Sequence, residues 1–183
     1  MRIVIAPKKE WAEIAREESS FDVLIRHYIV PLSLLAPVSS MIGMKVFDAT
    51  WDEGSGYHVP PQEIFAAAAI TLFASIASVF VLAAIFVLIA PMFDSARDYR
   101  AALKVATFGA VPVLLAGATL FIPVMAVVGV LALVHSLYLF WLGAREVLHV
   151  RHSQQAEFVG ISILLLCVAS TLLGGAASAL GLL

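Results

Sequence analysis

Five long apolar runs, separated by short polar and charged clusters, organise the 183-residue chain. They cover His27 to Phe47, Ile64 to Phe93, Leu103 to Leu120, Pro123 to Gly143 and Phe158 to Leu183. A helix crossing the hydrocarbon core needs about 20 mainly apolar residues. Lipid offers the backbone no hydrogen-bond partners, so each run predicts a transmembrane helix. The second run is long enough to tilt or protrude. The third is short, and only Phe121 and Ile122 join it to the fourth, which predicts a tight hairpin. Ahead of the first run, Trp11, Ile14 and Ala15, then Phe21, Leu24, Ile25 and Tyr28, recur at helical spacing among mixed charges. That pattern predicts an amphipathic helix on the membrane surface, with Trp11 as its interfacial anchor. The expected fold class is all-α: a polytopic membrane helical bundle of five transmembrane helices preceded by an interfacial amphipathic helix. Residues 1–26 form the amphipathic amino-terminal segment and residues 27–183 the five-span membrane domain.

Composition agrees with this pattern. Hydrophobic residues make up 62% of the chain and its mean hydropathy is +1.00, whereas soluble domains are about 45–50% apolar. The formal charge of -2 gives no reason to expect nucleic acid. Cys167, the single cysteine, sits in an apolar run, which removes any intramolecular disulfide and predicts a small buried hydrophobe. Both charge signs fill the first 26 residues, which argues against a cleavable signal peptide.

The position of the charges says more than their sum. Arg2, Lys8, Lys9, Arg16 and Arg26 precede the first span; Arg97, Arg100 and Lys104 follow the second; Arg145 and Arg151 follow the fourth. Ten of the eleven basic residues thus fall on one side, with Lys45 on the other beside Asp48, Asp52 and Glu53. By the positive-inside rule the amino terminus is expected in the cytoplasm and the carboxyl terminus outside.

Within the spans, Ala67, Thr71, Ser75 and Ser78 form one small-residue stripe, and Ser170, Gly174 and Ser178 another; both read as helix contacts. Pro31, Pro37 and Pro112 lie inside spans, where a proline removes a backbone hydrogen bond, and Pro123 opens the fourth.

Candidate chemistry is sparse. Every Asp and Glu falls in a predicted loop or at a span end, which removes the intramembrane carboxylates of a proton relay. Neither HExxH nor GxSG occurs, so metal-dependent or serine-dependent proteolysis has no carrier. His135 lies twelve residues into the fourth span, about 18 Å along the helix. With Ser136 and Tyr138 it forms a candidate midplane polar site, the alternative being a neutral histidine bonded within the bundle. Glu146, His149 and His152 are spaced by three, but the second pair that a metal site of this type needs is missing. No metal or cofactor is expected. Asp94, Arg97, Asp98 and Arg100 form a charged turn; with Trp11, Glu146 and His149 they make a candidate cytoplasmic docking face. The external His58, Asp52 and Glu53 have no recognisable metal spacing.

Several of these features together resemble the Yip family, the Ypt/Rab-interacting-protein-like integral membrane proteins. The carriers are Pro7 with Trp11 and Ile14, Tyr28-Ile29-Val30-Pro31-Leu32, Phe108-Gly109-Ala110-Val111-Pro112 followed by Gly117 and Pro123, and Tyr138-Leu139-Phe140-Trp141-Leu142-Gly143. The resemblance implies five spans, a cytoplasmic amino terminus and a short external carboxyl end. Eukaryotic relatives are associated with Rab-type GTPases, membrane traffic and organelle shaping. Here Asp48-Ala49-Thr50-Trp51 stands roughly where they carry a D-L-Y-G-P type motif, so the resemblance implies a bacterial-type, inner-membrane member.

Two functions follow as expectations. One is a non-enzymatic membrane protein that organises or scaffolds proteins or lipids, with the bilayer, other membrane proteins or further copies of itself as partners. The other is a small transporter or permease component working at His135.

Overall fold

A computed structural model of the chain describes residues 2–17, 20–51, 60–119 and 122–179; of 47–51, 123, 176, 177 and 179 it describes the backbone alone. Asp52, Glu53 and His58 lie outside the described residues, as do the side chains of 48–51. The helices are α1 (Pro7–Arg16), α2 (Phe21–Leu24), α3 (Val30–Ser33), α4 (Leu35–Trp51), α5 (Pro61–Ile89), α6 (Tyr99–Ala116), α7 (Ala126–Glu146) and α8 (Gln155–Ala179). No strand occurs among the described residues. Among the described residues, five stretches are long and apolar enough to cross a membrane: Phe21–Val46, Pro61–Phe93, Tyr99–Thr119, Ala126–Glu146 and His152–Gly175.

The first of these stretches is made of three helices because of its prolines. Pro31 has no N–H to give to the carbonyl one turn back, and its ring crowds that carbonyl. The preceding turn widens in response: residues Ile25–Ile29 form a π-helical turn in which the Val30 N–H reaches Ile25 O. A second interruption falls at Leu34, just ahead of Pro37. Pro112, by contrast, lies buried inside an α6 that runs unbroken from Tyr99 to Ala116.

The chain divides into two compact units. One comprises Met1–Ser19, Ser78–Gly109 and Leu137–Leu183, the other Ser20–Ala77 and Ala110–Ser136. The core of the first is aromatic. Phe158 stacks on Phe86 at 5.4 Å between ring centroids and meets Phe93 edge-on at 5.3 Å, while Phe140 meets Phe86 edge-on at 6.0 Å. Offset and edge-to-face pairs at these separations add to the stabilisation that burial gives. Gly109 lets α6 approach this cluster, since a Cβ there would run into the Phe140 ring.

In the second unit the close approach is at Gly117, where a Cβ would lie 2.9 Å from Ala36 Cβ and 3.1 Å from the Ala36 main-chain nitrogen. Ser39 Oγ donates to Ala118 O at 2.9 Å beside it, joining α4 to the end of the third span. The link onward is compact as expected: Ile122 N–H bonds Thr119 O at 3.1 Å and Met125 N–H bonds Ile122 O at 2.9 Å.

The stripe on α5 is half-buried at Ala67, Thr71, Ser75 and Ser78, with Thr71 Oγ1 bonding its own helix at Ala67 O. On α8 the expectation differs from the outcome. Ser170 and Ser178 are exposed, and a Cβ on Gly174 would meet nothing within 4 Å. Cys167, expected buried, is exposed on the same helix. Periodicity shows that residues share a stripe, not which neighbour covers it.

Candidate functional site

The charged segments that follow the second and fourth spans are tied to each other within the first unit. Each helix end turns through a non-glycine residue in the left-handed region: Asp94 at φ 55° and His149 at φ 57°. Side chains seldom accept that conformation, Asp being among the more tolerant. At His149 the turn closes α7 in a wide form, with Leu148 N–H bonding Gly143 O at 3.4 Å and Val150 N–H reaching back six residues to Ala144 O at 3.0 Å. At Asp94 the following Ser95 N–H bonds Ala90 O at 3.0 Å.

Two contacts then lock the turns together. Ser95, buried, donates its Oγ to Leu148 O at 2.5 Å. Arg151 Nη2 lies 2.9 Å from Asp94 Oδ2, with both side chains about two-thirds exposed. An exposed pair of this kind contributes about 0–1 kcal/mol, so the buried hydroxyl bond is the stronger tie. Gln155, fully buried at the start of α8, donates Nε2 to Val150 O and accepts at Oε1 near His152 Nδ1, 3.2 Å away.

This junction divides the expected docking residues by what they do. Asp98 caps α6: its Oδ1 accepts from Arg100 N–H at 2.8 Å and Ala101 N–H at 3.3 Å. Asp94 and His149 form the two corners. Arg97, Arg100 and Arg145 remain exposed, Glu146 is half-buried, and Arg145 Nε lies 3.5 Å from Glu146 Oε1. Among the described residues, Glu146 and His149 belong to no group of three potential metal ligands.

Trp11 is placed differently from the surface anchor that its sequence context suggests. It is 0% exposed, its ring edge-on to Phe108 at 6.4 Å and against Gly143, where a Cβ would come within 2.8 Å of Trp11 Cη2. Its Nε1 has no hydrogen-bond partner among the described residues. An amphipathic helix hides its apolar face equally well in lipid or against protein, and here α6 and α7 supply the protein. Lys104 completes the seat: its buried ammonium donates to Ile14 O at 3.0 Å and to Glu17 O, at the carboxyl end of α1. A cation there also meets the negative end of the helix dipole. Counting Lys104 among the loop charges missed this role. The available signal was a single cation inside the otherwise apolar stretch Leu103 to Ala106.

The midplane candidates sit on α7. His135 is half-buried, and Ser136 is 1% exposed with no partner for its hydroxyl among the described residues. Tyr138 is exposed and stacks on Trp141 at 6.2 Å; Trp141 in turn meets the His152 ring edge-on at 5.7 Å.

Five apolar helices define a multi-pass integral membrane protein. The Yip1 domain matches residues 1–174, and the chain belongs to that family. No curated protein and no solved structure matches it.

Proposed function

We propose that this protein is a non-enzymatic organiser of the membrane, which holds other membrane proteins or lipids against a fixed charged surface. The observation that supports this reading is the junction itself. Two turns locked by Ser95 and Leu148 and by Asp94 and Arg151 hold Arg97, Arg100 and Arg145 exposed. A pre-set surface binds without the ordering penalty that a mobile loop would incur. In this reading the basic side faces the cytoplasm of a bacterial-type cell, the membrane is the inner one, and the carboxyl end is external. Photo-crosslinkers at Arg97 and Arg151 in native membranes should trap the same protein or the same lipid from both positions; unrelated products at the two positions, or no specific product, argue against the reading. A reporter fused at Asp52 should give an external signal and one at Arg100 a cytoplasmic signal; the reverse pattern overturns the orientation.

A second reading, a small transporter component, is favoured by the buried Ser136 hydroxyl beside His135 in an otherwise apolar helix. Solute flux in reconstituted vesicles that is lost in His135→Ala and Ser136→Ala, with folding intact, would support it. Unchanged flux removes both residues from a transport path.

A further inference from the structure

The most exposed large apolar side chain among the described residues is Ile5, at 88%. It lies outside all five candidate spans, so no transmembrane helix carries it into hydrocarbon. Apart from the short link at Ile122, Val124 and Met125, the other exposed large apolar residues belong to spans, where lipid covers them. The Ile5 backbone is also fixed in place. Residues Arg2–Val4 form a single tight turn, and both Ile5 N–H and Ala6 N–H bond Arg2 O, at 3.0 and 2.8 Å, before α1 begins at Pro7. Ile3, two residues earlier, is 3% exposed, so this turn buries one isoleucine and presents the next.

The surroundings of Ile5 are basic. Arg2, Lys8 and Lys9 are exposed and have no carboxylate partner among the described residues; of the acids on α1, Glu10 is half-buried and Glu13, one turn beyond Lys9, is exposed. The depth of α1 follows from its seat. Lys104 stands five residues into α6 and Gly143 three residues from the end of α7, about 5–8 Å from the helix ends at 1.5 Å per residue. Helix ends of spanning segments lie where hydrocarbon gives way to headgroups. Trp11 is therefore held near that boundary, and Lys9 and Lys8 precede it by two and three residues, about 3–5 Å along α1, while Lys104 fixes the opposite, carboxyl end at Ile14 and Glu17.

The geometry points to an anionic-lipid docking site at the Arg2–Lys9 end of α1, with Ile5 seated among acyl chains and Arg2, Lys8 and Lys9 contacting negatively charged headgroups. The occupant is the leaflet, on the ground of charge complementarity. Basic residues at an anionic surface each add about 1 kcal/mol, close to fivefold in occupancy. Ile5 adds the apolar component that makes such contact persist in salt.

The test uses the full chain with Cys167→Ser and a bimane label on Ala6→Cys, reconstituted in phosphatidylcholine vesicles with and without phosphatidylglycerol. With phosphatidylglycerol present, headgroup nitroxide lipids should quench the label; without it they should not. Lys8→Glu with Lys9→Glu should lower that quenching by more than tenfold, and Ile5→Ser should lower it as well. Lys8, Lys9 and Ile5 are exposed, so these changes leave the Trp11 seat intact, and unshifted Trp11 emission in a chain with Trp51 and Trp141 replaced by Phe checks this. Equal nitroxide quenching in both lipids, or quenching that ignores the charge reversals, overturns the assignment. A crosslinked protein at position 5 in place of lipid also overturns it.

Discussion

Lys104 Nζ lies 3.0 Å from Ile14 O, so the carboxyl end of a surface helix is capped by a side chain that starts ninety residues later in the chain. Without this cation, the Ile14 carbonyl would lose its buried donor. A hydrogen bond to a charged group contributes about 1.5–3 kcal/mol. Lys104→Met should therefore raise hydrogen exchange across α1 by about tenfold or more, while Lys104→Arg retains most of the protection. Equal protection in the Met variant would show that Trp11 alone holds the helix.

Gly143 gives the Trp11 ring its seat. Alanine there would put a Cβ within 2.8–3.0 Å of Trp11 and Val105, and overpacking of this kind costs about 1–3 kcal/mol. In a chain with Trp51 and Trp141 replaced by Phe, Gly143→Ala should shift Trp11 emission to the red and lower Tm in detergent. Adding Trp11→Phe to Gly143→Ala should recover part of the loss. An unshifted spectrum would mean that the ring sits elsewhere.

The glycines sort into two classes. Gly109→Ala would meet the Phe140 ring and Gly117→Ala the Ala36 backbone, so both should lower Tm. Gly117→Ala should be the worse, because a backbone cannot rotate away. Gly129→Ala and Gly160→Ala meet nothing within 4 Å and should be neutral or slightly stabilising, through the better helix propensity of alanine. Thermal unfolding of the four variants in one detergent checks the ranking.

At the charged junction, burial decides the order of effects. Ser95→Ala leaves Leu148 O without its buried donor and should destabilise by about 1–3 kcal/mol. Asp94→Asn breaks an exposed pair and should cost less than about 1 kcal/mol. Denaturation midpoints of the two variants give the comparison; a larger loss in Asp94→Asn would mean that the ion pair, not the hydroxyl, joins the turns.

His149 occupies the left-handed corner at the end of α7, a position that glycine fills without strain. His149→Gly should hold or raise stability, and His149→Val should lower it by about 1–2 kcal/mol, since a β-branched residue tolerates that region poorly. If valine were harmless, the αL corner would not be present in solution.

Hydropathy is a local property. Whether about 20 successive residues are apolar enough to enter lipid depends on those residues alone, and the five spans could be read from the chain for that reason. The missing N–H of Pro31 was legible on the same ground, but Pro112 lacks it too and leaves α6 unbroken, so only the structure shows which proline interrupts its helix. The amphipathic period of α1 was legible too, but its covering was not. A helix with Trp11 and Ile14 on one side satisfies a membrane surface and a groove of Phe108, Val105 and Gly143 equally well. Only the tertiary structure decides between them, since the groove is assembled from two segments that follow Trp11 by about a hundred residues. The same holds for Lys104, whose acceptors lie on a distant helix, and for Asp94 and Ser95, whose partners Arg151 and Leu148 follow two further spans. Charge and hydrophobicity can be read one residue at a time, whereas the partner of each group is known only once the helices have packed.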